Sequence, residues 1–411
     1  MVRDRNFFAF LWHSFWLSLA DTFADKNTVL PALILFAGGN KSDIGTLTAI
    51  MIGIPSIGQI LFASYLTGKE YKKPFLLLGI YLRVISFVGV ALSIMFLLKS
   101  YPDMLISIIF FWMIIFSISG AFAGVSYSDI VGKSFESAIR KKFFVTKQII
   151  TGIGIFISAM IVKELLTAYE FPHNYEASFL WGGGFLFLGA FGFIMIKEKT
   201  SQINNTVKTF WGVLKSIPGI IKTDSTLKIY ILVSNLIGAT FTLIPFYMAF
   251  TKNEFNITEA DIGTFLLFQI SGQIISNIVW NQFLKKYSYK GMLYATIVIT
   301  GILPVVILMM SSVSSLFIFS FVFILTGTAI SANKITMEGI IIEISNQTNR
   351  ALYTGIYNTA NITLAILPIV TARLLNITGF EIIFIIYSII TLSSLLLINR
   401  LICPVDTVSH K

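Results

Sequence analysis

FFAFLWHSFWLSLADTFADKNTVLPALILF, residues 7–36, reads as one long and mostly apolar helix with Asp21, Asp25 and Lys26 near its middle. At 1.5 Å per residue it is about 45 Å long, enough to cross a hydrocarbon core of roughly 30 Å with tilt. Asp21 then falls close to the bilayer centre, where a lone charge costs on the order of 2.5–3.5 kcal/mol. Three charges so close together require water or ionic partners on neighbouring helices. Ser14, Ser18, Asp21, Asp25 and Thr28 follow steps of three and four, so they share one face and predict a polar, lined pathway.

The whole chain agrees with a membrane reading. Of 411 residues, 55% are hydrophobic and only 12% charged, with a mean hydropathy of +0.82, whereas soluble chains carry about 25% charged residues. The net charge of +10 does not indicate nucleic acid, because the basic residues sit in short loops rather than in a groove or arm. A single cysteine, Cys403, excludes a disulfide within the chain and a cysteine-based metal site, and His13, His173 and His410 lie far apart. No cofactor is expected. Arg3 and Arg5 precede the first apolar run like a signal peptide, but that run is too long, carries carboxylates and lacks a cleavage site. It is expected to stay as the first membrane helix.

Apolar segments recur at 7–36, 43–66, 75–98, 104–129, 143–163 and 178–196, then at 227–250, 261–284, 291–310, 316–342, 351–373 and 380–401. This predicts an all-α membrane protein of twelve transmembrane helices in two six-helix bundles, 1–196 and 227–411. Between them, 197–226 forms a cationic linker in which Phe210, Trp211, Leu214, Ile217, Ile220 and Ile221 alternate with Lys208, Lys215 and Lys222. That pattern suggests amphipathic helices on the membrane surface, broken near Pro218. Arg3, Arg5, Lys69, Lys72, Lys73, Lys133, Arg140, Lys141, Lys142, the linker lysines, Lys285, Lys286, Lys290, Arg350 and Arg400 fall on one side. Lys41, Lys99, Lys163, Lys252 and Arg373 fall on the other. The asymmetry places both termini and the linker in the cytoplasm of a cell whose cytoplasmic (inner) membrane holds the chain.

The halves repeat. Asp43-Ile-Gly45 opens the second helix and Asp261-Ile-Gly263 the eighth, and the same offset aligns Gln59 with Asn277, Tyr71 with Tyr289 and Lys72 with Lys290. Pro31 matches Pro245, and further on Arg140 matches Arg350, Phe143 Tyr353 and Lys163 Arg373. Such ordered matches argue for a duplicated unit.

A duplicated six-plus-six chain with a cationic middle loop resembles the major facilitator superfamily. The run from Ser64 to Lys73 keeps Lys69, Lys72 and Lys73 of that family's loop signature but lacks its glycines and aspartate. Asp129 followed by Arg140 is also similar to the family. LPALILFAGGNKSDIGTLTAIMIGIPSIGQ (30–59), with Arg83, resembles a bacterial group within it, which implies no particular substrate. The glycine-proline motif of antiporters is missing at Thr151-Gly-Ile-Gly154, which counts against drug export. The resemblance implies that helices one, four, seven and ten line a central cavity, with two, five, eight and eleven beside them.

Several residues then become candidates. Gln269, Gln273, Asn277 and Asn281 stand four apart and put amides on one face, either lining a cavity or gluing helices together. Lys334 and Glu338 share a face of the tenth helix, as a gate, a mutual ion pair or a substrate contact. Tyr357 and Asn361 share a face of the eleventh with Asn358 beside them. Asp21 and Asp25 lie about 40° apart around an ideal helix, close enough to share a proton as a proton-coupled carrier requires. The alternative is a structural ion pair with Lys26, Arg83 or Lys147. Asp129 with Arg140, and Glu343 with Arg350, suit an inner gate or solvated loops.

Taken together, these features predict a secondary active transporter for a small polar solute, monomeric, working by alternating access and proton-coupled. A drug or metabolite exporter or a uniporter of the same fold is the alternative, with a non-transporting receptor or scaffold of that fold behind it. A nucleotide-driven pump lacks its G-x-x-x-x-G-K-[ST] loop, and a membrane enzyme lacks clustered histidines or carboxylates at ligand spacing. Besides the solute and membrane lipid no partner is expected, and no enzymatic activity.

Overall fold

The computed structural model describes residues 2–200, 210–313, 315–345 and 350–401, and among them all regular structure is helical. The first half forms α1 (Val2–Thr22), α2 (Val29–Phe36), α3 (Lys41–Thr67), α4 (Lys73–Ser100), α5 (Pro102–Ser134), α6 (Ser137–Ala168) and α7 (His173–Ile194). A connecting helix α8 (Phe210–Thr223) leads to α9 (Ser225–Leu243), α10 (Phe246–Glu254), α11 (Glu259–Lys286), α12 (Tyr289–Met310) and α13 (Leu316–Ser320). The chain finishes with α14 (Val322–Ile344), α15 (Arg350–Ala360), α16 (Thr363–Ser393) and α17 (Leu395–Ile398).

Among the described residues, ten stretches are long and apolar enough to cross a membrane. One of them, Tyr353–Ile398, turns at Gly379 (φ 81°, ψ 179°) and so contains two helices. With the α1–α2 pair, which is not among the ten, the twelve-helix pattern of the sequence is complete.

The chain divides into two compact units, Met1–Asp43 with Ile50–Phe210 and Thr258–Gly263, and Ile44–Ala49 with Trp211–Ile257 and Thr264–Lys411. In the first, α1 packs on α6 and α7, and α4 packs on α5 and α7. In the second, α9 packs on α15 and α16, and α12 packs on α14 and α16. The two schemes are alike in these pairings, with α16 standing for two helices that meet at Gly379. Local chemistry repeats too. Asp43 Oδ2 accepts the Asn40 N–H at 2.8 Å where α3 begins, and Asp261 Oδ2 accepts the Thr258 N–H at 2.8 Å where α11 begins. A carboxylate at the third helical position satisfies a backbone donor that the helix leaves orphaned. That is the physical content of the repeated Asp-Ile-Gly.

The structure corrects the sequence reading at three elements. The expected single helix 7–36 is two. After Thr22 the chain tightens, with Phe23, Ala24 and Asp25 N–H groups donating to carbonyls three residues back, each at 3.2 Å. Asp25 Oδ1 then accepts the Asn27 N–H at 3.0 Å, the Thr28 N–H at 2.9 Å and the Thr28 hydroxyl at 2.8 Å. A short acidic side chain offers the backbone an alternative to helical bonding, and here that alternative wins. The linker helix α8 runs through Pro218 without a break, and Ile217, Ile220 and Ile221 pack on the core of the second unit with Leu227 and Tyr230. Its apolar side is thus covered by protein at those positions. The linker residues 201–209 lie outside the described residues. Finally, the helix expected over 351–373 is interrupted at 361–362, between α15 and α16.

Candidate functional site

Asp21 sits in the last turn of α1, just before the interruption, and its side chain is 50% exposed. Arg83, the eleventh residue of α4 and so about 15 Å along that helix, reaches it with Nη2 at 2.8 Å from Oδ1. The Arg83 side chain is only 15% exposed. Its guanidinium carbon lies 4.2 Å from the Phe116 ring centroid, a cation–π contact worth about 0.5–2 kcal/mol depending on desolvation. Nε is buried without a partner. Beside this group opens a pocket of about 220 Å³ lined by Met51, Pro55, Gln59, Arg83, Phe116, Ser117, Gly120 and Ala121. An ion pair, an amide and a hydroxyl thus converge in the middle of apolar spans.

The remaining residues of the polar stripe are placed differently from the expectation. Ser14 and Ser18 are buried and donate to the carbonyls of Phe10 and Phe15, both at 2.7 Å. Thr28 is fully buried on Asp25. Ser158 of α6 donates to the Leu19 carbonyl at 2.5 Å and pins the end of α1. The stripe faces protein, and Asp21 alone of the five is open. The two aspartates that the spacing puts close enough to share a proton have separate partners, because the interruption takes Asp25 off the helical face. Lys26 is exposed, and Lys147 lies 4.6 Å from the Tyr127 ring centroid.

At the end of the first unit that carries Lys72 and Lys133, a charge network forms. Glu198, 3% exposed in its side chain, accepts the Lys72 and Lys73 N–H groups, each at 2.8 Å, one on each carboxylate oxygen. This is a buried anion on the N-terminus of α4, where the helix dipole favours it. Lys133 Nζ bridges Glu198 at 2.8 Å and Asp129 at 2.7 Å, and Lys72 Nζ reaches Asp129 at 2.9 Å. Lys73 Nζ donates to the Ile194 and Ile196 carbonyls at 2.7 and 2.8 Å beyond α7. The expected Asp129–Arg140 pair is absent. Arg140 Nη2 instead donates to the Gly132 and Phe135 carbonyls, both at 2.8 Å, and so caps the end of α5. Glu198 was not a candidate from the sequence; the only signal was a carboxylate among the lysines just after α7.

In the second unit the amide face of α11 splits. Gln269 is fully buried, Gln273 half-buried, and Asn277 accepts from Ser331 of α14 at 2.6 Å. A methyl group at Gly327 or Gly272 would overlap the backbone at Gln269 or Ile324, so α11 and α14 cross in close contact there. Where α15 meets α16, Asn361 Oδ1 accepts from Asn235 Nδ2 at 3.3 Å, and the Thr363 hydroxyl donates to Asn235 Oδ1. Asn235 is a second residue the sequence reading missed. Tyr357 packs on Tyr230 with centroids 5.1 Å apart, and Asn358 is half-buried. Lys334 and Glu338, one turn apart on α14, are exposed and make no ion pair with each other among the described residues. Glu343 is half-buried; the Arg350 side chain lies outside the described residues, and the Glu343–Arg350 pairing with it.

The family model for the Major Facilitator Superfamily matches residues 230–410. No curated protein matches the chain. Among solved structures, a POT family transporter in complex with 5-aminolevulinic acid is similar at a TM-score of 0.72 and 14% identity, over 96% of each chain. A mutant of peptide transporter POT in complex with alafosfalin gives 0.69 and 14%, over 96% of this chain and 95% of that one. The nucleoside transporter NupG, as a mutant, gives 0.68 and 14%, over 98% and 100%. At such identities the likeness is one of fold.

Proposed function

We propose that the chain is a secondary carrier of the major facilitator superfamily for a small polar solute: the superfamily's model matches residues 230–410, and the fold is similar to that of such a transporter over 96% of the chain. The observation that carries this reading is the Asp21–Arg83 pair, held in mid-span and open on one side beside a polar pocket. Charge inside a membrane is expensive and marks a pathway or relay. Asp21 is the half-exposed carboxylate of that pair, so it is the proposed coupling residue. Asp25, which holds the interruption of the first helix together, has a structural role in this reading. The charge network of Lys72, Asp129, Lys133 and Glu198 is proposed as an inner latch.

Lysines and arginines concentrate at the helix ends and turns around Lys72, Lys133, Lys285 and Lys290, which supports a multi-pass chain with both termini in the cytoplasm. The related fold that binds 5-aminolevulinic acid handles a small molecule bearing an amine and a carboxylate. A site with acid, base and amides suits that class. The test is uptake of labelled small solutes into proteoliposomes under an imposed pH gradient. Accumulation that follows the gradient and disappears in Asp21→Asn supports a proton-coupled carrier. Flux unchanged by the gradient makes it a uniporter, and no flux for any of a broad metabolite panel removes the carrier reading.

A further inference from the structure

Arg83 is only partly used by its partner. Asp21 takes one N–H position of the guanidinium through a single oxygen, while Nε stays buried without a partner. A planar guanidinium presents five N–H donors in a fork that matches a carboxylate through two parallel bonds. Its plane is already held by Phe116, so a ligand would not have to order it. The adjoining pocket of about 220 Å³ has room for about seven waters at ~30 Å³ each, which is a head group rather than a drug-sized molecule. Gly120 keeps that space open: a methyl group there would stand 3.7 Å from Arg83 Nε, in ordinary contact. With Arg83 as its one cation and neutral Gln59 and Ser117 on the walls, the pocket balances one negative charge, which Asp21 supplies until it turns to its open side.

We propose that the Arg83 pocket is a carboxylate-binding subsite of the transported solute, and that Asp21 occupies the cation when the subsite is empty. The carboxylate of the incoming solute takes the free side of the Arg83 fork, and Asp21, open on its other side, gives way. No bond other than hydrogen bonds forms or breaks. A dianionic phosphate would leave a net charge uncompensated in a low-dielectric site, so a singly charged head is preferred. The proposal deepens the carrier reading and rests on it for its purpose, but binding itself does not require transport.

Acetate is the probe, and thermal unfolding of the purified full chain in detergent is the readout. In Asp21→Ala the seat on Arg83 is vacant, and sodium acetate is expected to raise Tm by on the order of 1–2 °C at a tenfold excess over its Kd. Sodium chloride at equal ionic strength and acetamide are expected to give no such rise. Asp21→Ala combined with Arg83→Gln should abolish the acetate response. Gly120→Val, which fills the pocket and leaves the Arg83 charge in place, should abolish it in the Asp21→Ala background too and keeps the test open if the double variant does not fold. An acetate effect no larger than that of chloride, or one that survives either change, overturns the proposal. Acetate binding without solute flux would sink the carrier reading alone; flux without acetate binding would sink the subsite alone.

Discussion

At the scale of single residues, the Asp21–Arg83 contact carries a cost that can be measured. Arg83→Gln leaves Asp21 charged beside an apolar helix. Breaking a fully buried pair costs about 3–5 kcal/mol, but Asp21 is half exposed, so a loss of about 1–3 kcal/mol is expected. Asp21→Asn in the same chain should return most of it, giving a coupling of opposite sign in a double-mutant cycle followed by thermal unfolding. A loss that is simply additive would show that the two charges do not stabilise one another. The sequence supplied Lys26, Arg83 and Lys147 as alternative partners for the acidic pair. Arg83 and Lys147 are both cations on apolar helices, and spacing along a chain says nothing about which helix faces which.

Elements depend on groups that sit at their ends. Glu198 serves the N-terminus of α4 and a lysine at once, so Glu198→Gln should destabilise the chain by about 1–3 kcal/mol. Asp43→Ala, which removes a single exposed cap, is expected to cost nearer 1 kcal/mol. Equal losses in the two variants would mean that the buried network adds nothing to the cap. Gly379 has φ 81° and ψ 179°, a region essentially closed to residues with a side chain. Gly379→Ala is therefore expected to lower stability by about 1–3 kcal/mol, whereas Gly184→Ala, with open space around the new methyl, should change it little. Both are read from the midpoint of thermal unfolding in detergent. The periodicity of residues 351–401 separated two helices correctly, because a turn interrupts the apolar run at Thr378-Gly379. It did not show the interruptions at 23–28 and 361–362: Asp25 competes with the helix through side-chain bonds to the backbone, and Asn361 bonds to the Asn235 side chain of α9, neither of which hydropathy registers.

For the whole molecule, orientation follows from loop charge. In a Cys403→Ser background, Lys285→Cys is expected to react with a membrane-impermeant maleimide only from the cytoplasmic side, and Lys99→Cys only from the outside. The reverse pattern, or labelling of both from one side, would invert or break the proposed topology. The duplication was legible as scattered matched residues, and its physical meaning became visible in structure: each unit uses similar helix pairings and the same carboxylate cap at the start of its second long helix.

What the sequence determined by itself was the membrane class, the number of crossings, the duplication and the presence of charge in mid-span. These follow from composition and from periods of a few residues, which are local properties of a chain. What only the tertiary structure decided was the company each charge keeps: Asp21 with Arg83, Glu198 with Lys133, Arg140 with carbonyls rather than with Asp129. Those partners lie on different helices, and the choice among them is made by which side chains the packing brings within hydrogen-bonding distance.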